Sequence, residues 1–335
     1  MNSTNHWELY PINQFEKFIQ SWDTLNNKIA KSPILESRFI GPCLRHFPAG
    51  DALLALCGDQ DNPTAMTIVN KNRFGVWETY QPSQAPIGAW MCDSTADLNT
   101  LLNSLANVLP GIVLSIGITQ QDTSFLARPK NQTNIRTLDY INTARVNINE
   151  TFDEYWANRG KNLRQNLRRQ RNRLEREDVT TTLKTFDKPD QMKDCIAEYG
   201  KLESAGWKSQ GGTAISPEND QGLFYTEMLQ RFAETGDGFV FNYLYNDKIV
   251  AVDLCIKGNG TLIILKTTYD ESQKTSSPAL LMRQDSFQHF FNMDGLEKIE
   301  FYGKVMDWHT KWASDIRTMY HINYYPWKLL ALLKS

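Results

Sequence analysis

With 335 residues the chain can build two hydrophobic cores, and 41% apolar with 22% charged residues is the balance of an ordinary globular protein. A formal net charge of -2 gives no overall pull towards nucleic acid or an anionic membrane. No run approaches the roughly 20 apolar residues that a membrane-crossing helix needs, since Ile112–Ile118 and Leu329–Leu333 are far shorter. The opening MNSTNHWELYPINQFEKF lacks a basic stretch followed by an apolar one, so a cytoplasmic protein with no integral membrane association is expected.

Cys43, Cys57, Cys92, Cys195 and Cys255 form no C-x-x-C pair, a pattern that suits reduced thiols. His6, His46, His289, His309 and His321 are equally scattered. Without an H-E-x-x-H, a Cys/His zinc spacing or an acidic calcium loop, no metal is expected.

In chain order, Gln14–Ala30 reads as an opening helix. Ala52–Cys57, Ala65–Asn70 and Gly75–Tyr80 read as three short strands separated by Gly, Asp, Asn and Pro turns. Thr95–Val108 is amphipathic, with Leu98, Leu101, Leu102, Leu105 and Val108 on one side, and Pro110-Gly111 stops it. Ile112–Ile118 is a buried strand and Asn134–Ile148 adds more strand. Next comes Arg159–Arg176, with eight basic residues against the single acid Glu175. Trp156, Leu163, Leu167 and Leu174 put one narrow apolar stripe on a long helix, which therefore lies along a protein surface.

Pro189–Ser204 and Gln221–Glu234 are helical. Phe239–Tyr245, Ile249–Ile256 and Thr261–Thr268 form a meander, turned by Asn246-Asp247 and by Gly258-Asn259-Gly260. Ser277-Pro278 then caps and starts a helix carrying Leu280, Leu281, Phe287 and Phe291, followed by a strand at Lys298–Tyr302. Arg317–Tyr325 is expected to close this half. Both halves thus share one element order, β-β-β-α-β. The expected class is α/β (α+β), in three parts: residues 1–150, an arginine-rich connecting helix at 151–180, and residues 181–335.

The helix starting at Pro278 abuts the third strand, and its first N–H groups and positive dipole end make an anion site that would suit a pyrophosphate. Ser276 and Ser277 would add hydroxyls and Lys274 a charge; equally, Ser-Pro caps many helices that bind nothing.

Four stretches, EYWANRGKNLRQNLRRQRNRLE (154–175), ESAGWKSQGGTAI (203–215), LKTTYDESQKTSSPALLM (265–282) and FYGKVMDWHTKW (301–312), resemble the Fem-type branch of the GNAT acyltransferases. That group also includes cellulose-biosynthesis-associated acetyltransferase-like proteins. With weaker matches at Trp22-Asp23 and Ser32-Pro33, the resemblance spans nearly the whole chain. It implies a tandem of two GNAT-like domains, each a mixed, mostly antiparallel sheet flanked by helices, with the acyl-donor site in the second. Active members use acetyl-CoA or another acyl-CoA or, in the cell-wall branch, an aminoacyl-tRNA. The chain departs from the family at Ala279 and Val305, where small residues such as glycine are common.

The chemistry requires a base for the amine, donors for the oxyanion and an acid for the thiolate. Asp307 and Glu203 are the candidate bases, Lys311 and Lys266 the stabilisers and Tyr269 the acid. The donor would lie against Lys266, Thr267, Thr268, Lys274, Ser276, Ser277, Ala279 and Leu280, and the acceptor against Trp207, Lys208, Gly211, Gly212 and Asp270. Each has a plainer alternative: Asp307 and Lys311 at i, i+4 as a surface pair, Trp207 as core, Lys266 as a solvent-facing strand residue. The arginine helix is a solvated connector, a surface for an acidic acceptor such as a polysaccharide precursor, or a site for tRNA or anionic lipid. The expected activity is N-acyl transfer from acyl-CoA to a small or glycan-linked amine. Two alternatives stand beside it: an aminoacyl-tRNA-dependent peptide-bridge transferase, and a non-catalytic scaffold in exopolysaccharide or envelope biosynthesis.

Overall fold

The computed structural model describes residues 6–205 and 215–327, apart from the Lys274 side chain. The chain divides into two compact units. Unit 1 comprises Met1–Thr143 with Arg317–Ser335, and unit 2 comprises Ala144–Ile316.

Unit 1 contains β1 (Trp7–Pro11), α1 (Ile19–Lys28), α2 (Ser37–His46), β2 (Leu53–Asp59), β3 (Asn62–Arg73), β4 (Val76–Thr79) and β5 (Trp90–Cys92). It continues through α3 (Leu98–Val108), β6 (Ser115–Gln121) and the first part of β7 (Ile135–Asn147), and takes most of the late strand β13 (Asp315–Tyr324). The sheet order is β1-β2-β3-β4-β6-β13-β7, with β5 on β3. The β4–β6 pair is parallel, through Val76↔Ser115 to Glu78↔Gly117. The leucines of α3 pack with Trp7, Trp90, Ile116 and Tyr320 into the core of this unit, as the amphipathic pattern requires.

Unit 2 takes the rest of β7, then α4 (Phe152–Ala157), α5 (Lys161–Arg176), β8 (Thr181–Phe186), α6 (Met192–Ser204), α7 (Asp220–Ala233) and β9 (Gly238–Tyr245). It ends with β10 (Lys248–Gly258), β11 (Thr261–Tyr269), α8 (Pro278–Phe291) and β12 (Lys298–Glu300). Its sheet order is β7-β12-β11-β10-β9-β8. Asn246 (φ 53°), Asn259 (φ 47°) and Gly260 (φ 72°) supply the left-handed turn residues that join β9, β10 and β11. Alternate residues of these strands face α8 and build a core of Phe241, Tyr243, Ala251, Cys255, Leu262 and Ile264 with Leu281, Phe287 and Phe290.

The boundaries differ from those the sequence suggests. Residues 317–324 do not close the second half. They pair with β6 in unit 1 (Ile322↔Ile118, Tyr324↔Ile116), because Tyr320, Ile322 and Tyr324 have apolar partners there. The arginine-rich stretch is two helices, broken at Asn158–Gly160, and it is part of unit 2 rather than a separate connector. Thr151 caps α4 through a reciprocal pair of hydrogen bonds with Glu154. The stripe on α5 is real: Leu163, Leu167 and Leu174 join the same core as Phe287. All five cysteines are buried and free. Among the described residues no helix is long and apolar enough to cross a membrane, and no group of His, Cys, Asp and Glu could hold a metal ion.

Candidate active site

Strands β11 and β12 are paired only from Thr261↔Lys298 to Ile263↔Glu300, and then they part. Two local features accompany the parting. Leu265 is extra in the register with β10, since Leu254 pairs with Lys266 and Cys255 with Ile264; such a bulge leaves ladder hydrogen-bonding groups unpaired. On the other side Tyr302 takes a left-handed conformation (φ 47°) and turns the chain away after Glu300.

The gap is a cleft of about 330 Å³ lined by Thr267, Tyr269, Arg283, Trp308 and Trp312 and by the first turn of α8, Ser277 to Leu280. Ser277, the N-cap of α8, is left-handed (φ 54°, ψ 54°), and its side chain makes no capping hydrogen bond. A non-glycine residue in this region costs of order 1 kcal/mol, and such strain clusters at ligand sites. Trp312 is fully buried, and its Nε1–H has no hydrogen-bond partner among the described residues.

Arg283 reaches the cleft from α8, yet it is 2% exposed and its partner Asp253 on β10 is 0% exposed. Its Nη1 donates to Asp253 Oδ2 at 2.6 Å. Its Nη2 donates to Asp253 Oδ1 at 3.2 Å and to Thr267 Oγ1 at 3.1 Å, and Thr267 Oγ1 in turn donates to Asp253 at 2.6 Å. The guanidinium also lies 5.7 to 6.0 Å from the ring centroids of Phe287, Phe301 and Trp308. His309 stacks on Trp308 with ring centroids 3.6 Å apart and accepts the Met306 N–H on Nδ1 at 2.9 Å. Burial, helped by the charge of Arg283, pushes its pKa down to about 4, so this histidine is neutral and fixes the Trp308–Trp312 wall.

A second cleft of about 590 Å³ shares Leu280 with the first. It is lined by Asn158, Arg159, Gly160, Thr310, Lys311 and Ser314, among others. Arg159 donates from Nη1 to the Trp312 carbonyl at 2.8 Å. A third, of about 570 Å³, carries Lys161, Arg164, Arg168 and Arg171 beside Trp156 and Gln284.

The structure gathers some of the expected residues and disperses others. Thr267, Tyr269, Ser277, Ala279 and Leu280 line the first cleft and Lys311 lines the second. Asp307 is exposed and lines neither cleft, and no ion pair joins it to Lys311 among the described residues. Ser276 is not free to donate to a ligand: it is buried, its Oγ donating to the Gln273 carbonyl and accepting from Tyr245 Oη. Lys266 stands on β11 one residue before Thr267 and sits 5.8 Å from the Tyr225 ring on α7, away from α8. Thr268 is buried.

Glu203 is buried on α6 and accepts the Ile215 N–H at 2.9 Å. Asp270 accepts from Lys248 Nζ and the Ser272 N–H; these bonds outweigh its partial burial and hold its carboxyl below the ordinary value. Trp207, Lys208, Gly211 and Gly212 lie outside the described residues, as does the side chain of Lys274. The sequence reading missed Arg283, Asp253, Trp308 and Trp312. A signal existed: one acid inside the apolar strand VAVDLCI and one arginine on a helix face between Leu281, Met282 and Phe287.

Two units each pairing a short parallel step with an otherwise antiparallel sheet, the second opening into a cleft beside a helix start, define a tandem acyltransferase-type fold. Residues 161–310 match the family model described as acetyltransferase (GNAT) domain. Residues 161–310 are therefore similar to a GNAT acetyltransferase domain, and the chain as a whole shares its fold with FemX. FemX shares the fold at 12% identity and a TM-score of 0.56, covering 98% of this chain and 100% of that one. The C-terminal domain of a protein described as a lysylphosphatidylglycerol synthetase, from Agrobacterium fabrum, does so at 13% identity and a TM-score of 0.58, with 95% of each chain covered. L-PGS from Bacillus licheniformis gives 12%, 0.52 and 94% of each. A comparison of the sequence with curated proteins gave no match.

Proposed function

We propose that unit 2 transfers an acyl group from a coenzyme A thioester to a primary amine. The observation that carries this reading is the cleft between the parted strands, which meets the uncapped first turn of α8 at one end. A diphosphate would sit against the Ala279 N–H at that turn, at the positive end of the helix, since Pro278 has no N–H and Leu280 and Leu281 donate to the Ser277 carbonyl. The acyl-bearing arm would run between Trp308, Trp312 and Tyr269. The bulge at Leu265 would offer a backbone N–H to the thioester oxygen as it gains charge.

The amine would enter by the second cleft and meet the donor at Leu280, the residue common to both. As the C–N bond forms the amine loses a proton, and as the C–S bond breaks the sulfur gains one. We assign the first transfer to Asp307 acting through water, since Glu203 is buried and already holds the Ile215 N–H. The second falls to Tyr269 in the cleft wall. Lys311 would orient the acceptor. Cytoplasmic placement and an acceptor from envelope or polysaccharide synthesis belong to the same reading.

A ligand that binds only the folded state raises its stability, by about 2.7 kcal/mol at a hundred times Kd. Acetyl-CoA or a longer acyl-CoA at millimolar concentration should therefore raise Tm. A flat response across such a panel removes the reading.

A second donor, aminoacyl-tRNA, is favoured by the cleft lined by Lys161, Arg164, Arg168 and Arg171, and by the name of the Agrobacterium fabrum neighbour, an aminoacyl-lipid synthetase. It predicts filter binding of charged tRNA that weakens steeply with salt and is lost in Arg164→Gln/Arg168→Gln.

A further inference from the structure

One end of unit 1 presents apolar side chains to solvent. Phe74, at the tip of the β3–β4 hairpin, is 71% exposed, and Ile112 and Trp327 are each 59% exposed. The backbone holds the three together. Leu114 N–H donates to the Gly75 carbonyl at 2.7 Å, and Trp327 Nε1–H donates to the Val113 carbonyl at 3.0 Å. Gly75 is left-handed (φ +69°), and a Cβ there would fall 2.5 Å from the Leu114 side chain, so only glycine lets the hairpin tip approach this closely.

Two cations flank Phe74 at the hairpin tip. Lys71 Nζ lies 5.8 Å from the centroid of the Phe74 ring, and Arg73 is exposed on the same tip. The nearby acid Glu78 accepts from Asn72 Nδ2.

We infer that this end of unit 1 is a peripheral docking surface for a lipid bilayer with anionic headgroups. A hairpin tip and a neighbouring loop hold these side chains out to solvent, and exposed apolar groups on separate loops are accommodated by a partner that deforms around them, as an acyl-chain boundary does. The three side chains offer roughly 400 Å², about half of the ~800 Å² per partner that a stable protein interface takes. An indole whose N–H is satisfied while its ring stays exposed suits the headgroup level, and flanking Lys and Arg add attraction to anionic lipid. The inference stands apart from the acyl-transfer reading, because it uses no residue of unit 2.

The test is co-sedimentation of the full chain with vesicles of phosphatidylcholine alone, or with about a third phosphatidylglycerol, in low and in 0.5 M salt. The expected result is binding to the anionic vesicles that weakens in high salt. Phe74→Ser/Ile112→Ser should lower the bound fraction at least about fivefold with Tm unchanged, and Lys71→Gln/Arg73→Gln should remove most of the salt-sensitive part.

No binding by the wild-type chain overturns the inference. So does binding that survives the Phe74/Ile112 change but is lost in Arg164→Gln/Arg168→Gln, which would place the contact on α5. A concentration-dependent dimer that disappears in Phe74→Ser/Ile112→Ser would assign the patch to a second copy of the chain instead.

Discussion

In unit 1 the parallel strands β4 and β6 are followed by a loop that fills the space between them, whereas in unit 2 the corresponding pair, β11 and β12, separates and leaves a cleft. The filling is specific. Thr79 Oγ1 and Thr119 Oγ1 lie 2.7 Å apart, Gly88 N–H donates to the Thr119 carbonyl at 3.1 Å, and Gln121 Nε2–H donates to the same carbonyl at 2.8 Å. The helix starts differ too. Asp97 caps α3 with its own carboxylate, accepting from the N–H groups of Asn99 and Thr100, while Ser277 leaves the start of α8 open. One topology therefore yields a closed module or a binding module according to a loop and a cap. Each unit nonetheless buries an Asp–Arg pair: Asp122 with Arg317 in the first, Asp253 with Arg283 in the second.

Those pairs give the sharpest way to set the units apart. Removing one member of a buried pair strands the other charge and costs about 3–5 kcal/mol. Arg283→Met and Arg317→Met should both lose this much in urea denaturation. Only Arg283→Met should also lose the Tm response to acyl-CoA, because only that pair touches the cleft; loss of the response in both would erase the distinction. Asp253→Leu/Arg283→Met should regain much of the stability without regaining the ligand response.

A smaller effect is expected at the filled gap. A Cβ on Gly88 would come within 2.3 Å of Thr79 Oγ1 and 2.5 Å of Thr119 Oγ1. Gly88→Ala should cost about 1–3 kcal/mol by overpacking and leave donor binding intact, which calorimetry with acyl-CoA would check.

The smallest is set by pH. His309 has a folded-state pKa of about 4, below the ordinary value of about 6.5. Between these two the unfolded chain binds more protons than the folded one. Stability therefore falls as pH drops from about 6.5 towards 4 and is insensitive to this group above that window. His289 and His321 shift in the same direction, so the readout is the difference between wild type and His309→Gln. The variant should show a shallower acid decline in Tm.

Much of unit 2 was legible because its signals are local. Asn246-Asp247, Asn259-Gly260 and Ser277-Pro278 mark turns and a helix start at the positions where β9, β10, β11 and α8 begin or end. Where stability comes from distant contacts the pattern fell silent. The strand β1 is a short segment whose Trp7 finds its partner at Leu101. The helix α2 carries Pro42, which argues against a helix, yet its buried face of Phe39, Ile40 and Cys43 prevails. The cleft itself depends on a bulge at Leu265 and a left-handed Tyr302, and neither residue type announces such a conformation. The roles proposed for Asp307 and Lys311 rest on family resemblance; spacing alone leaves them as a surface pair.

The place of β13 bears on how the chain is assembled during synthesis. This strand lies between β6 and β7 in the sheet order of the first unit, but it is made after every residue of the second. Unit 2 can complete its core as soon as residue 316 has emerged. Unit 1, although started first, must hold a gap inside its sheet until residues 317–324 arrive. During that interval Ile116 and Ile118 on β6 lack their partners Tyr324 and Ile322, an open strand edge of the kind that invites mispairing between neighbouring nascent chains. A chain truncated after residue 316 would hold every residue of the second unit but leave the sheet of the first incomplete.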